Sequence, residues 1–304
     1  MARLLTPKLD YVFKRLFTED PELLLDLVNV MLEFPQPIAS LEVRTPAILP
    51  QQLTDKYIIL DVLAVDQRGQ RYDLEMQAQK YHHYPERLLY YLCRLYSQQL
   101  EAGESYAILR PVIGLHFLDY VQFPGEEDFH YAFHLHDPRY PHLRLTRHLS
   151  VHLFELPTFA KRRDGPPTGN PQHQWLYFFN HGDQEDEAMA TTRYTHPAVR
   201  KAASVLRRLS DDEETRLQAQ ARELALINRV SELSAARQEG LEQGLEQGLE
   251  QGLEQGRKQG ELIGQIRLLQ EIRGLPVETD AALKTRSVAE LQDLLQTLKP
   301  PTRG

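Results

Sequence analysis

A single cysteine, Cys93, stands in 304 residues, so no disulfide can form within the chain. A reducing compartment, the cytoplasm, is the expected setting. Cys93 lies in an apolar helical pattern and is expected as a core filler rather than a nucleophile. Long apolar runs are also lacking. None approaches the roughly 18–20 residues that a membrane helix needs, and residues 1–5 do not open a charged-then-apolar signal peptide. Basic excess is missing too: the net charge is −8. That argues against a protein that coats nucleic acid, whose surface would be basic. It leaves room for an enzyme that holds phosphates with a metal and a local Arg/Lys patch. The acidity is partly local, because residues 237–261 carry six Glu against two Arg and one Lys.

What the chain does have is an ordinary share of apolar residues, 41%, arranged with clear periodicity. Over 8–33, Leu9, Val12, Phe13, Leu16 and Phe17 fall on one helical face; Pro21 breaks the helix, which resumes over 22–33. A short strand is expected at 38–45. A helix is expected at 86–102, closed by Gly103. Residues 106–109, 112–118 and 148–156 read as buried strands, 161–171 as a loop, and a helical stretch begins at 175. The first ~190 residues therefore look α/β, a mixed sheet flanked by helices. His130, His134 and His136, with Asp137, superficially suggest a metal site. Their spacing matches no zinc signature, so solvated or packed histidines are expected.

The most informative local feature is a hairpin. Residues 57–65 and 71–77 are strand-like, and Asp66-Gln67-Arg68-Gly69-Gln70 reads as the turn between them. A turn centred on Arg68 sets Asp61 opposite Glu75, with β-carbons roughly 4.5–5.5 Å apart on one face. Like charges so placed are destabilising, and Asp61 interrupts the apolar stripe of Ile59, Leu63 and Val65. Two arrangements relieve this. Asp61 pairs with an Arg while Glu75 is solvated on an edge strand, or a divalent metal sits between the two carboxylates.

The Asp…Glu-x-Gln hairpin, with Pro7-Lys8-Leu9-Asp10-Tyr11-Val12-Phe13-Lys14-Arg15-Leu16-Phe17 before it and Arg87-Leu88-Leu89-Tyr90-Tyr91 after it, resembles the PD-(D/E)XK nuclease superfamily. More narrowly it resembles the Rpn-type recombination-promoting nucleases, the PD-(D/E)XK family transposases. The resemblance covers roughly residues 1–190 and rests on the order and spacing of its parts. It implies a restriction-endonuclease-like mixed sheet flanked by helices and a metal-dependent DNA endonuclease. It also implies a recombination-promoting or transposase-like role. Asp61, Glu75 and Gln77 would be catalytic. Asp61, Glu75 and the backbone carbonyl of Met76 would hold Mg2+, with Mn2+ as the other candidate. Asp10, Lys14 and Arg87 would bind DNA or support the site. Gln77 stands where most of the superfamily has Lys, as is common in the narrower family, and would orient the attacking water.

Past residue 190 the chain is read as a helical connector over 191–239, a repeat over 240–264 and a small helical tail over 265–304. Leu-Glu-Gln-Gly occurs four times over 241–256. Each Gly costs a helix ~1 kcal/mol against Ala. The segment is thus either a marginal helix that orders on self-association or a flexible tether. The tail should end one helix at Gly274-Leu275-Pro276 and cap the last with Ser287 and Glu290. The partners expected are DNA and further copies of this chain, with no membrane. The rival to the nuclease reading is a catalytically weak or inactive interaction protein that oligomerises through the repeat.

Overall fold

Helix α1 (Asp10–Glu19) buries Val12, Phe13, Leu16 and Phe17, and α2 (Pro21–Leu32) follows with Pro21 in its first turn. The break between them lies where the proline requires it. The computed structural model describes residues 4–44, 47–48, 58–59, 61–162 and 169–299. The strands are β1 (Leu41–Arg44), β2 (Ala47–Ile48), β3 (Ile58–Ile59), β4 (Val62–Asp66), β5 (Arg71–Gln77), β6 (Val112–Leu118), β7 (His130–His134) and β8 (Leu149–Glu155). Helix α3 (Tyr84–Ser97) joins β5 to β6. After β8 come α4 (Leu156–Arg162), α5 (Pro171–His181), α6 (Glu187–Arg193), α7 (Pro197–Asp211), α8 (Glu213–Ile272), α9 (Asp280–Lys284) and α10 (Val288–Leu298).

Six strands form one mixed sheet in the order β1-β4-β5-β6-β8-β7. β5, β6 and β8 run parallel, and the outer pairings are antiparallel. All seven residues of β6 are buried, as its unbroken apolar run requires of a strand covered on both faces. On one face Leu63, Val112, Leu118 and Leu153 pack with Tyr84, Leu88, Leu92 and Leu95 of α3. On the other, Phe117 meets Phe13 of α1 and Phe179 of α5, and Phe17 meets Trp175. The fold is the α/β architecture expected, a mixed sheet flanked by helices. One compact unit spans 1–225, so the expected 191–239 connector is divided, and α7 belongs to the first unit's packing.

Four local expectations are corrected. Helix α3 stops at Ser97 rather than 102, because Gln99 turns its side chain to both backbone groups of Arg110. Gly103 therefore does not close it. Residues 106–108 form one 3-10 turn instead of a buried strand; Tyr106 is exposed and the Arg110 side chain bonds back to Ala107 and Leu109. Cys93 is exposed, about a quarter-turn round α3 from the buried Leu92. The expected first hairpin strand is interrupted: 58–59 pair with 47–48 in a separate ladder, and Asp61 lies in a bend before β4. Residues 45, 57, 60 and 163–168 of the expected strands and loop lie outside the described residues.

The second unit spans 226–304. Its core joins Ile263 and Ile266 of α8 to Leu283 of α9 and Leu291, Leu295 and Leu298 of α10. Gly274, at φ +63°, lets the chain leave α8, with the Leu275 amide donating to the Gln270 carbonyl. Ser287 and Glu290 form the expected capping box. The Leu-Glu-Gln-Gly segment is helical throughout. Among the described residues no helix is long and apolar enough to cross a membrane.

Candidate active site

The hairpin turn is built from Asp66 outward. Its Oδ1 accepts from the Arg68 and Gln70 amides at 2.9 Å each, and its Oδ2 accepts from Tyr72 Oη. Gly69 adopts φ +80°, a conformation open to glycine, and the added Cβ of another residue would press on the Arg110 side chain at 3.2 Å. This turn fixes the register. The pairs Val62↔Leu74, Leu63↔Asp73, Ala64↔Tyr72 and Val65↔Arg71 are all symmetric about position 68. Asp61, one residue before the ladder, consequently comes beside Glu75. Its Oδ2 accepts the Met76 amide at 2.9 Å.

Asp73, Glu75 and Gln77 alternate along β5 onto the α3 side of the sheet, level with Gly114, His116 and Leu118 of β6. Glu75 is buried, and among the described residues its Oε1 has no hydrogen-bond partner. Burial pushes its carboxyl well above the usual range. The charges of Asp61 and Asp73 add to this, while Arg87 and the Asp61 backbone act the other way. Burial likewise drives Asp61 up to about 7; the Met76 amide, Arg222 and Lys14 oppose it and Asp10 reinforces it.

Behind Glu75, Asp73 is fully buried, and among the described residues neither of its carboxylate oxygens has a hydrogen-bond partner. His116 Nε2 lies 3.8 Å from Asp73 Oδ2. Burial raises the acid well above its usual range and lowers the imidazole to about 3. Burial thus disfavours the charged form of both partners. Tyr84 Oη meets His116 Nδ1 at 2.9 Å.

Arg87 is held by an amide and by aromatic faces. Its Nη2 donates to Gln77 Oε1 at 2.8 Å, and its guanidinium lies over the rings of Tyr81, Tyr84 and Tyr91. Gln77 Nε2 donates to the Gln79 carbonyl at 3.2 Å. The amide keeps one lone pair and one N–H for another partner.

Asp61 opens into a cleft of about 430 Å³. Asp10, Tyr11 and Lys14 of α1 line it, together with Gln218, Ala221, Arg222 and Ala225 of α8. The helix-one residues expected near the site are there. Arg222 was missed by sequence reasoning, because it lies in a charged helical stretch with no local motif and meets Asp10 across 212 positions. Asp73 and His116 were missed as site neighbours; the alternation of β5 from Glu75 was the signal that could have found Asp73.

Two carboxylates with a buried, unpartnered oxygen fit a hard, oxygen-seeking divalent cation. Among the described residues no group of three or more His, Cys, Asp or Glu could hold a metal by themselves. Any ion here would need main-chain and water oxygens as well.

Comparison with known families finds a match to the PD-(D/E)XK nuclease family transposases over residues 7–236. No curated protein and no solved structure matches the chain.

Proposed function

We propose, for a chain that belongs to the PD-(D/E)XK nuclease family transposases, that the cleft at Asp61 hydrolyses DNA phosphodiesters as a divalent-metal-dependent endonuclease. The observation that carries this is Glu75 Oε1, buried and unpartnered beside a second carboxylate. Unrelieved, that arrangement costs stability. Asp61 and Glu75 would hold Mg2+ or Mn2+, with the Met76 carbonyl completing the protein's share. Such an ion, when bound, polarises a phosphate and acidifies an attacking water.

The chain's own residues do the rest. The Met76 amide fixes the Asp61 carboxylate. Arg87 and Gln79 clamp the Gln77 amide, so that its remaining N–H and lone pair can orient a water. Among the described residues Lys14 makes no ion pair, and its ammonium at the cleft attracts a phosphate. The role served is recombination-promoting or transposase-like cleavage, in the cytoplasm.

A second element concerns assembly. Leu241, Leu245, Leu249 and Leu253 are 64–75% exposed along the repeat. An apolar series of that length favours self-association, and it is also the feature that favours the rival reading, a weakly active interaction protein.

Plasmid nicking separates the two readings. Wild type should nick in Mg2+ and stop with chelator, and Asp61→Asn and Glu75→Gln should both be inactive yet folded. Cleavage surviving either substitution, or no divalent ion bound in titration calorimetry, would sink the nuclease reading.

A further inference from the structure

The start of α8 carries a residue that the nuclease reading does not use. Gln218, Ala221, Arg222 and Ala225 recur at i, i+3, i+4 and i+7, and these four line the Asp61 cleft opposite α1. The two alanines leave the cleft wall low, and Arg222 is the one cation among these four positions. Capping holds the helix start in place: Asp212 Oδ2 accepts from the Thr215 amide at 2.8 Å and its hydroxyl at 2.6 Å, and Thr215 is fully buried. Arg222 is therefore mounted on an ordered helix start rather than on a loop.

Its guanidinium is only partly committed. Nε donates to Asp10 Oδ2 at 2.7 Å and Nη2 donates to the same oxygen. Nη1 has no partner among the described residues. The side chain stays 56% exposed although Asp10 is 20% exposed. Asp10 Oδ1 is held separately, by the Tyr11 amide at 2.7 Å. So Asp10 is fixed from its own helix, and Arg222 lies against it with one edge open.

The charge around the cleft points the same way. Asp10 and Asp61 line it with Lys14 and Arg222, two carboxylates against two cations, so neutralising Asp61 leaves the cations in excess.

We infer that Arg222 and Lys14 form a two-sided cradle for the phosphate backbone of DNA, in which Asp10 is the partner Arg222 holds until a phosphate takes its place. The inference rests on the nuclease reading for the identity of the substrate. Arginine suits the task, because its planar fork binds two phosphate oxygens at once. A partly solvated surface ion pair contributes little to folding, so exchanging Asp10 for a phosphate costs little. The simpler account is a strut between α1 and α8 with no role in binding, and the two accounts predict opposite signs.

The test uses the full chain with Asp61→Asn throughout, so that nothing is cleaved. It uses a fluorescently labelled DNA duplex and a chelator, so that metal binding does not enter. Anisotropy is read across a salt series, and each variant's melting temperature is recorded. Arg222→Ala should weaken binding by roughly tenfold and lower the log Kd–log salt slope by about one. Asp10→Asn should tighten binding, and that gain should vanish in the Arg222→Ala background, the coupling expected when Asp10 acts through Arg222. Arg222→Lys should keep the slope and lose part of the affinity; it also carries the test if the alanine variant folds poorly.

The cradle is overturned if Arg222→Ala and Asp10→Asn move affinity in the same direction in step with melting temperature. An unchanged salt slope, or a parent that binds no duplex, overturns it too. Metal-dependent nicking by the wild type is scored separately. Nicking without an Arg222 effect removes the cradle alone. An Arg222 effect without nicking removes the nuclease reading and keeps the cradle.

Discussion

The central strands and the repeat helix treat their side chains in opposite ways. Every residue of β6 is buried, and buried carboxylates sit beside it on β5. Along the repeat, the leucines at 241, 245, 249 and 253 are exposed, and a Cβ added at any glycine from 240 to 264 would meet nothing within 4 Å. The first region places polar groups where solvent is absent; the second places apolar groups where solvent is present. Each runs against the stability of the isolated chain. The proposed ion would relieve the first cost and the proposed self-association the second.

The sharpest way to break the comparison is a truncation in each region. Phe117 packs against Phe13, Phe154 and Phe179 and is fully buried. Phe117→Ala should cost about 3–5 kcal/mol in urea unfolding. Leu249→Ala, at a concentration too low for association, should stay within about 0.5 kcal/mol. A large loss at Leu249 in dilute solution would mean that the repeat is already buried.

Next in size is the acid site. Asp61 is raised from 3.8 to about 7, and Asp73 and Glu75 shift the same way, burial being the first cause in each. The native state therefore holds these protons more tightly than the unfolded chain. The associated stability is fully present below about 3.8 and is lost as pH rises through about 7 for Asp61. Metal-free protein should melt at falling temperature across that window. Asp61→Asn should flatten the dependence and gain about 2 kcal/mol near neutral pH, a figure discounted for partial solvent contact. Stability that rises from pH 4 to 7 in the metal-free wild type would contradict the assignment.

Legibility followed the kind of physical cause. The turn at Asp66–Gln70 and the strands Arg71–Gln77 and Val112–Leu118 are set by neighbours a few positions apart, and the sequence showed them with their register. The hairpin pattern set Asp61 beside Glu75, and the family resemblance added Asp10 and Lys14; Asp10, Lys14 and Asp61 line the cleft. What failed turned on where single side chains point, whether their partners are near in sequence or far. The exposed turn at Tyr106–Ile108 is shaped by Arg110 and Gln99, and the early end of α3 has the same cause. Cys93 was misread because one step round α3 separates a core position from solvent. Arg222 could not be found by pattern, since its partner lies in the first helix.

Gln77 gives a smaller test within the site. A lysine placed there would meet Arg87, the donor to Gln77 Oε1 at 2.8 Å. Gln77→Lys should thus lose that bond, add a like-charge contact and destabilise by about 1–2 kcal/mol, although it restores the wider superfamily's residue. Unchanged urea unfolding would show that Arg87 finds another partner.

The smallest effect decides the most about the repeat. Gly248 lies on α8 with open space where its Cβ would be. In a bare helix, Gly248→Ala should stabilise by up to about 1 kcal/mol, because alanine loses less backbone freedom on ordering. If the glycine face instead packs against a second copy, the same methyl group collides and association weakens. Circular dichroism melts at low and high protein concentration separate the cases. A gain at both concentrations means that the glycine face is never covered, and any assembly must use the leucines alone. A gain when dilute that becomes a loss when concentrated places the glycines in the interface. Each successive repeat is rotated ~40° on a 3.6-residue helix, so both series spiral around α8 instead of forming one seam. Gly240→Ala and Gly256→Ala should then differ from Gly248→Ala in the concentrated sample, because a straight partner can cover only part of the spiral. Equal responses at all three positions would require a partner that winds with the repeat.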